Sequence, residues 1–171
     1  LSSKRDWGHA KDYVKGMYLI LQQEEPEDYV LATGVTTEIR EFIRMAFAEL
    51  GIEIEFFGSG VNEKGFFVGV DEKIFIAKVG EQYLESIKDK VIRSNNRGSE
   101  EAVIEVDSSY FRPTEVDLLI GDSTKAHDKL GWLPEYDLKG LVKDMIQSDL
   151  QVMRKDDYLK RGGFRTMNYF E

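Results

Sequence analysis

Hydrophobic and polar positions near the start of the chain follow first a helical and then a strand-like spacing. In residues 9–25 the apolar side chains recur every three or four positions, which predicts an amphipathic helix that ends before Pro26. Residues 28–34, DYVLATG, then predict a short strand that ends at a glycine turn.

The same two spacings repeat directly afterwards. An apolar stripe predicts a second helix that opens at Thr37 and stops at Gly51. Residues 52–57, IEIEFF, alternate as a half-buried strand does. The order helix, strand, helix, strand is typical of an α/β fold.

The second half of the chain gives a mixed pattern. The segment 66–79 predicts one or two strands, and 82–94 a helix. Residues 102–107, AVIEVD, predict a strand, and 122–131 a short helix with Asp122 as its N-cap and a glycine just past its end. A long final helix is expected from the apolar stripe of residues 138–153, followed by an irregular tail.

Composition narrows the class of protein. The 171 residues are enough for one domain with a hydrophobic core. A net charge of −9 argues against a nucleic-acid-binding surface but leaves room for a small phosphorylated ligand, which needs only two or three local cations. No apolar run is long enough to span a bilayer, the first residues do not resemble a signal peptide, and cysteine is absent. We therefore expect a cytoplasmic protein without membrane contact, and the initial leucine suggests a piece of something longer.

Several sequence motifs that would indicate catalysis or cofactor binding are incomplete or absent in this chain. Gly60 and Gly65 have the glycine spacing of a P-loop, but phenylalanines follow where the lysine and the hydroxyl residue are required. No G-x-G-x-x-G turn follows a strand, and no tyrosine has a lysine four residues later. The two histidines, His9 and His127, are far apart and are interpreted as helix-surface residues, so no metal site is expected. The sequence predicts no catalytic and no cofactor-binding residues in this chain.

Two arginines remain as candidates for ligand binding. Arg5 precedes an aromatic residue, a glycine and a helix, where a guanidinium can meet a phosphate. The alternative is that Arg5 pairs with Asp6 or Asp12 while Trp7 fills the core. Arg112 lies in an extended segment before Pro113, and Glu115 follows within reach of the same pocket. A guanidinium can hold a diphosphate and a carboxylate can accept ribose hydroxyls, although an exposed Arg–Glu pair that stiffens a turn is the alternative.

The motifs RDWGHAKDYV, YFRPTEVD and GDSTKAHDKLGWLP, in this order, resemble those of the extended short-chain dehydrogenase/reductase superfamily. Over nearly the whole chain the resemblance is to the GDP-mannose 4,6-dehydratase family. That family converts GDP-mannose to GDP-4-keto-6-deoxymannose with NADP, and its catalytic threonine, glutamate, tyrosine and lysine lie in an N-terminal Rossmann half. The resemblance implies that this chain is the C-terminal substrate-binding portion, inactive alone, of a homo-oligomeric enzyme whose NADP is bound by the other half.

The resemblance also implies a division of the chain and roles for three residues. Residues 1–36 would form the last helix and strand of the Rossmann sheet, with 28–34 as its last parallel strand. Residues 37–155 would form a small α/β lobe that binds the GDP-sugar, with an insertion near 65–98, and 156–171 a tail. Arg5 and Arg112 would contact the diphosphate and Glu115 the ribose. Another nucleotide-sugar dehydratase or epimerase, or a non-catalytic binding module, remains the alternative.

Overall fold

The computed structural model describes residues 1–96, 102–110 and 118–166, which combine helices with short strands and confirm the predicted α/β class. The strands are β1 (Lys4–Asp6), β2 (Thr36–Glu38), β3 (Ile52–Phe57), β4 (Lys64–Val70), β5 (Ile104–Glu105) and β6 (Leu118–Leu119). The helices are α1 (Ala10–Leu21), α2 (Ile39–Ala48), α3 (Glu72–Lys78), α4 (Leu84–Asn95), α5 (Thr124–Leu130) and α6 (Leu138–Arg161).

β1 is the central strand of a three-stranded sheet with the order β2, β1, β6. It runs antiparallel to β2, where Arg5 lies opposite Thr37. It runs parallel to β6, where Arg5 lies opposite Leu119. Because β1 is paired on both edges, Arg5 has a defined position relative to two distant parts of the chain.

A second, antiparallel sheet with the order β3, β4, β5 carries much of the hydrophobic core. Along β3, isoleucines 52 and 54 are buried while the glutamates between and after them are exposed, which confirms the predicted half-buried strand. Helices α2 and α4 pack on this sheet, and α2 also contacts α6. The core cluster consists of Ile52, Phe67, Phe75, Leu84 and Ile87.

The short helix α5 follows its sequence prediction except at its first residue. Gly131 adopts a left-handed conformation with φ of 63° and ends the helix, as predicted. The N-cap is Ser123, so the prediction of Asp122 at this position was wrong by one residue. The Asp122 carboxylate instead accepts the N–H and the hydroxyl of Thr124, at 2.9 and 2.6 Å. It therefore stabilises the turn that leads into the helix.

No strand forms at residues 28–34 within the described ranges; the sheet to which it was assigned lies outside this chain, so the assignment stays a prediction. A strand requires a hydrogen-bonded neighbour, and within the described ranges these residues pair with none. The backbone N–H groups of Thr33 and Gly34 are instead bound by the side chain of Asp6. Local patterning indicated an extended segment, and the two N–H groups at its end donate to the Asp6 carboxylate.

Two further boundaries differ from the sequence predictions. Thr37 does not open a helix but lies in β2, because this stretch pairs with β1 before α2 begins at Ile39. The segment 66–79 holds the end of one strand followed by α3, since the Asp71 side chain caps a helix by accepting the N–H of Ile74 at 3.0 Å. The helix predicted within 82–94 is confirmed as α4.

The segment 65–98, interpreted from sequence as an insertion, supplies four of the five residues of the core cluster in its described part. It is therefore not a surface appendage. β2 pairs with β1 across the predicted boundary at residue 36, and α6 runs past the predicted start of the tail at residue 156. The domain boundaries themselves stay predictions. None of the helices in the described ranges has the length and apolar character required to cross a membrane.

Candidate functional site

Arg5 lies beside a cleft of about 280 Å³. Two backbone segments, 30–32 and 119–121, line this cleft together with side chains of β1 and α1. The Arg5 side chain donates from Nη1 to the carbonyl oxygen of Lys4 at 2.9 Å. Apolar side chains of the two segments also line this cleft: Val30, Leu31, Ala32, Leu119 and Ile120. We call this space the Arg5 cleft.

Asp6 fixes one side of the Arg5 cleft to β1. Its Oδ1 accepts the N–H of Thr33 at 3.1 Å and the hydroxyl of Thr33 at 2.6 Å. Its Oδ2 accepts the N–H of Gly34 at 2.9 Å, where φ of 75° requires a residue without a side chain. One carboxylate therefore holds the end of the segment that begins at residue 30. The sequence alone indicates Asp6 only as a possible partner of Arg5.

Tyr13 of α1 also lines the Arg5 cleft. Burial raises its pKa above the ordinary value, and the negative charges of Asp6 and Asp12 raise the pKa further. The phenol therefore remains protonated and can donate a hydrogen bond to an anion. A Cβ at Gly8 would lie 2.0 Å from the Tyr13 hydroxyl oxygen, so only glycine leaves room for this side chain. No sequence pattern singled out Tyr13, because it lies on a helix with ordinary amphipathic spacing.

The other two predicted site residues, Arg112 and Glu115, lie outside the described residues. The structure therefore neither joins them to Arg5 nor separates them from it. It does describe the strand that follows them, β6, whose Leu118 lies opposite Lys4 in the parallel register with β1.

A second cleft, of about 530 Å³, lies between the loop before β2, the start of α6 and one side of α2. Trp7 lines it and stacks on Phe42, with ring centroids 4.3 Å apart. The proposal that Trp7 contributes to packing is consistent with this stacking. The carboxylate of Asp12, one of the two acids considered as a partner for Arg5, accepts the backbone N–H groups of Glu135 and Tyr136 at 3.1 and 3.2 Å.

His9 differs from its prediction as a helix-surface residue. Its ring is buried, its Nδ1 accepts the N–H of Lys11 at the start of α1, and its Nε2 is bonded to Asp144 of α6. Sequence spacing could not reveal this partner because α6 is distant in the chain. His127 is exposed on α5, as predicted.

The Arg5 cleft combines a guanidinium, a protonated phenol and apolar side chains, and the Asp6 carboxylate is also part of its lining. The guanidinium and the phenol are hydrogen-bond donors of the kind that bind phosphate. Among the described residues, no group of three or more His, Asp or Glu side chains is arranged to hold a metal ion.

The profile of the family described as GDP-mannose 4,6 dehydratase matches residues 1–145. The chain is 42% identical, over 96% of its length, to the GDP-mannose 4,6-dehydratase of Yersinia enterocolitica and spans 39% of that protein. It is 43% identical to the Vibrio cholerae GDP-mannose 4,6-dehydratase, again over 96% of the chain and 39% of the relative. The GDP-mannose 4,6 dehydratase of Drosophila melanogaster is 42% identical over 91% of the chain, which spans 32% of it. The chain thus spans about a third to two fifths of the length of these relatives, and it belongs to the GDP-mannose 4,6-dehydratase family.

Proposed function

We propose that this chain supplies the part of a GDP-mannose 4,6-dehydratase that binds the diphosphate and ribose of GDP-mannose. Arg5 and Arg112 contact the diphosphate, and Glu115 accepts the ribose hydroxyls. The intact enzyme is a cytoplasmic, homo-oligomeric lyase that forms GDP-4-keto-6-deoxymannose. The chain by itself is inactive, because the residues that carry out the reaction belong to the part of the parent enzyme that this chain does not span.

The observation that carries the proposal is the parallel pairing of β1 with β6. Arg5 lies opposite Leu119 in this pair. Glu115 and Arg112 precede Leu118 by three and six positions in the sequence. We therefore propose that both side chains act in the same site as Arg5.

The residues of this chain do not fit an NADP site. The whole sequence lacks the G-x-G-x-x-G turn between a strand and a helix that binds a dinucleotide pyrophosphate. When bound, NADP supplies the hydride acceptor and donor for the family's reaction. We assign its binding to the part of the parent enzyme outside this chain, in keeping with the 39% of the Yersinia relative that the chain spans.

Calorimetric titration of the chain with nucleotides tests this proposal. We expect GDP and GDP-mannose to bind with a Kd of about 1 mM or below, and UDP- and dTDP-sugars to bind more weakly. A charge-assisted hydrogen bond contributes about 1.5–3 kcal/mol, so Arg5→Ala or Arg112→Ala should weaken GDP binding about 10- to 150-fold. In the parent enzyme Arg112→Ala should raise the KM for GDP-mannose.

Arg44→Ala is the matched control, because it removes an equally positive side chain from the exposed face of α2, where Arg44 pairs with Glu41. It should leave nucleotide affinity unchanged. Stronger binding of UDP- or dTDP-sugars would change the assigned substrate. A wild-type chain that binds no nucleotide diphosphate would overturn the proposed function.

A further inference from the structure

We infer that Gly121 and Asp6 are positioning residues that set the width of the Arg5 cleft and thereby place the guanidinium against a nucleotide diphosphate. The inference rests on the proposed function. It assigns to these two residues a role that neither motif patterning nor the family comparison indicates.

Gly121 is required by space and not by backbone conformation. Its φ lies outside the left-handed range that favours glycine. A Cβ built at this position would lie 2.5 Å from the Cβ of Ala32 and 3.2 Å from Cγ1 of Val30. A separation of 2.5 Å is far below van der Waals contact between carbon atoms, so any side chain must push the two segments apart.

The contact between Gly121 and Ala32 is where the two segments of the Arg5 cleft meet. Segment 119–121 continues directly from β6, which pairs with β1 beside Arg5. Segment 30–32 lines the same cleft. The closeness of their approach therefore determines the distance between the apolar lining and the guanidinium. An added methyl group at residue 121 would widen the cleft at this point.

Asp6 holds the chain directly after segment 30–32. It accepts three hydrogen bonds, two from Thr33 and one from Gly34, immediately after the segment. Asp6 is also the neighbour of Arg5 on β1. The same strand therefore carries both the guanidinium and the carboxylate that holds segment 30–32 in place. An asparagine in its place could not accept on both sides, because one oxygen is replaced by an N–H₂ donor that would face another donor.

GDP titrations at several ionic strengths, with circular dichroism to verify folding, test the inference. Gly121→Ala and Asp6→Asn should each weaken GDP binding about tenfold, the size of one charge-assisted contact. Gly121→Ala, which leaves the charge of the cleft unchanged, should also reduce the salt dependence of the affinity, because the guanidinium no longer contacts the diphosphate. A purely structural role would lower the melting temperature without changing the salt dependence of the folded protein.

The double variant Gly121→Ala with Ala32→Gly moves the methyl group from one segment to the other and should restore both affinity and salt dependence. Two controls lie in the second sheet and its flanking helix. Gly65→Ala crowds side chains at 3.0 Å, and Asp71→Asn alters a carboxylate that accepts a backbone N–H. Neither should change GDP binding. If Gly121→Ala fails to fold, GDP titrations of Asp6→Asn and of the double variant test the inference.

The outcomes distinguish the proposed function from the positioning role of Gly121 and Asp6. Loss of GDP binding in Arg5→Ala, together with wild-type affinity and salt dependence in folded Gly121→Ala and Asp6→Asn, would overturn this inference alone. Failure of the double variant to recover affinity would also contradict it. Absence of GDP binding in the wild-type chain would overturn the proposed function and this inference with it.

Discussion

Nε2 of His9 lies 3.1 Å from Oδ2 of Asp144, although 135 positions separate the two residues in the chain. Because Nδ1 of His9 accepts the N–H of Lys11, also at 3.1 Å, the ring proton is on Nε2, which donates to the carboxylate. The imidazole also stacks on Tyr136, with ring centroids 4.1 Å apart. One buried side chain therefore caps α1 and joins it to α6.

Replacement of His9 should destabilise the fold measurably. His9→Ala removes the cap of α1 and the bond to Asp144, and we expect a loss of about 1–3 kcal/mol in the free energy of unfolding. Urea denaturation followed by circular dichroism measures this change. His127→Ala is the control, since that side chain is 54% exposed, and it should alter stability by less than about 0.5 kcal/mol. Equal stability of the two variants would show that the His9 contacts contribute nothing.

The segment 65–98 should prove essential for folding. Phe75 of α3 is 4% exposed and belongs to the core cluster, so Phe75→Ala should lower the free energy of unfolding by about 3–5 kcal/mol. Phe164 is 66% exposed, and the same substitution there should have little effect. Denaturation curves of the two variants provide the comparison. A stable chain after removal of the Phe75 ring would indicate that this segment is peripheral.

The first helix should mediate association. Apolar side chains on one face of α1 are exposed by 57–80% of their area: Val14, Met17, Tyr18 and Leu21. Exposed apolar surface of this kind usually forms an interface with another molecule. We therefore expect the chain to self-associate or to bind the remaining part of the parent enzyme.

The double variant Met17→Lys, Leu21→Lys should reduce this association in light-scattering or sedimentation measurements. Ile92→Lys, at a residue of α4 that is 61% exposed, introduces the same kind of charge away from this face and should leave association unchanged. A wild-type chain that stays monomeric alone and binds no companion polypeptide would contradict the prediction.

The acid titration of Asp122 should reflect its contacts with Thr124. The hydroxyl of Thr124, and then its backbone N–H, lower the pKa of this carboxyl group below its ordinary value. Since the folded pKa lies below the unfolded value of about 3.9, the stabilisation is present above about pH 4 and is lost as pH falls through the folded pKa.

Thr124→Val keeps the N–H and removes the hydroxyl, so it should raise the pKa of Asp122 towards its ordinary value in an NMR titration of the side-chain carboxyl carbon. Ser109→Ala provides the matched control, because Ser109 lowers the pKa of Asp107 through the same pair of bonds. That variant should shift Asp107 and leave Asp122 unchanged. A Thr124→Val protein with an unaltered Asp122 titration would contradict the assigned cause.

Sequence patterning succeeded where the signal was local. The alternation of residues 52–57, the helix within 82–94 and the glycine that ends α5 all appear as predicted, because side-chain periodicity and backbone conformation act over a few residues. It failed at Thr37, where the outcome depends on which distant backbone supplies hydrogen bonds. It also placed His9 on a surface, since its partner Asp144 lies on the last helix.

The sequence by itself determined the α/β class and, through its motifs, the family. Tertiary structure alone decided that Leu119 lies beside Arg5, that Asp6 binds Thr33 and Gly34, and that Gly121 meets Ala32. The reason is physical. Periodicity and motifs record what each segment can do locally, whereas the shape of a cleft depends on contacts between segments that only the folded chain brings together.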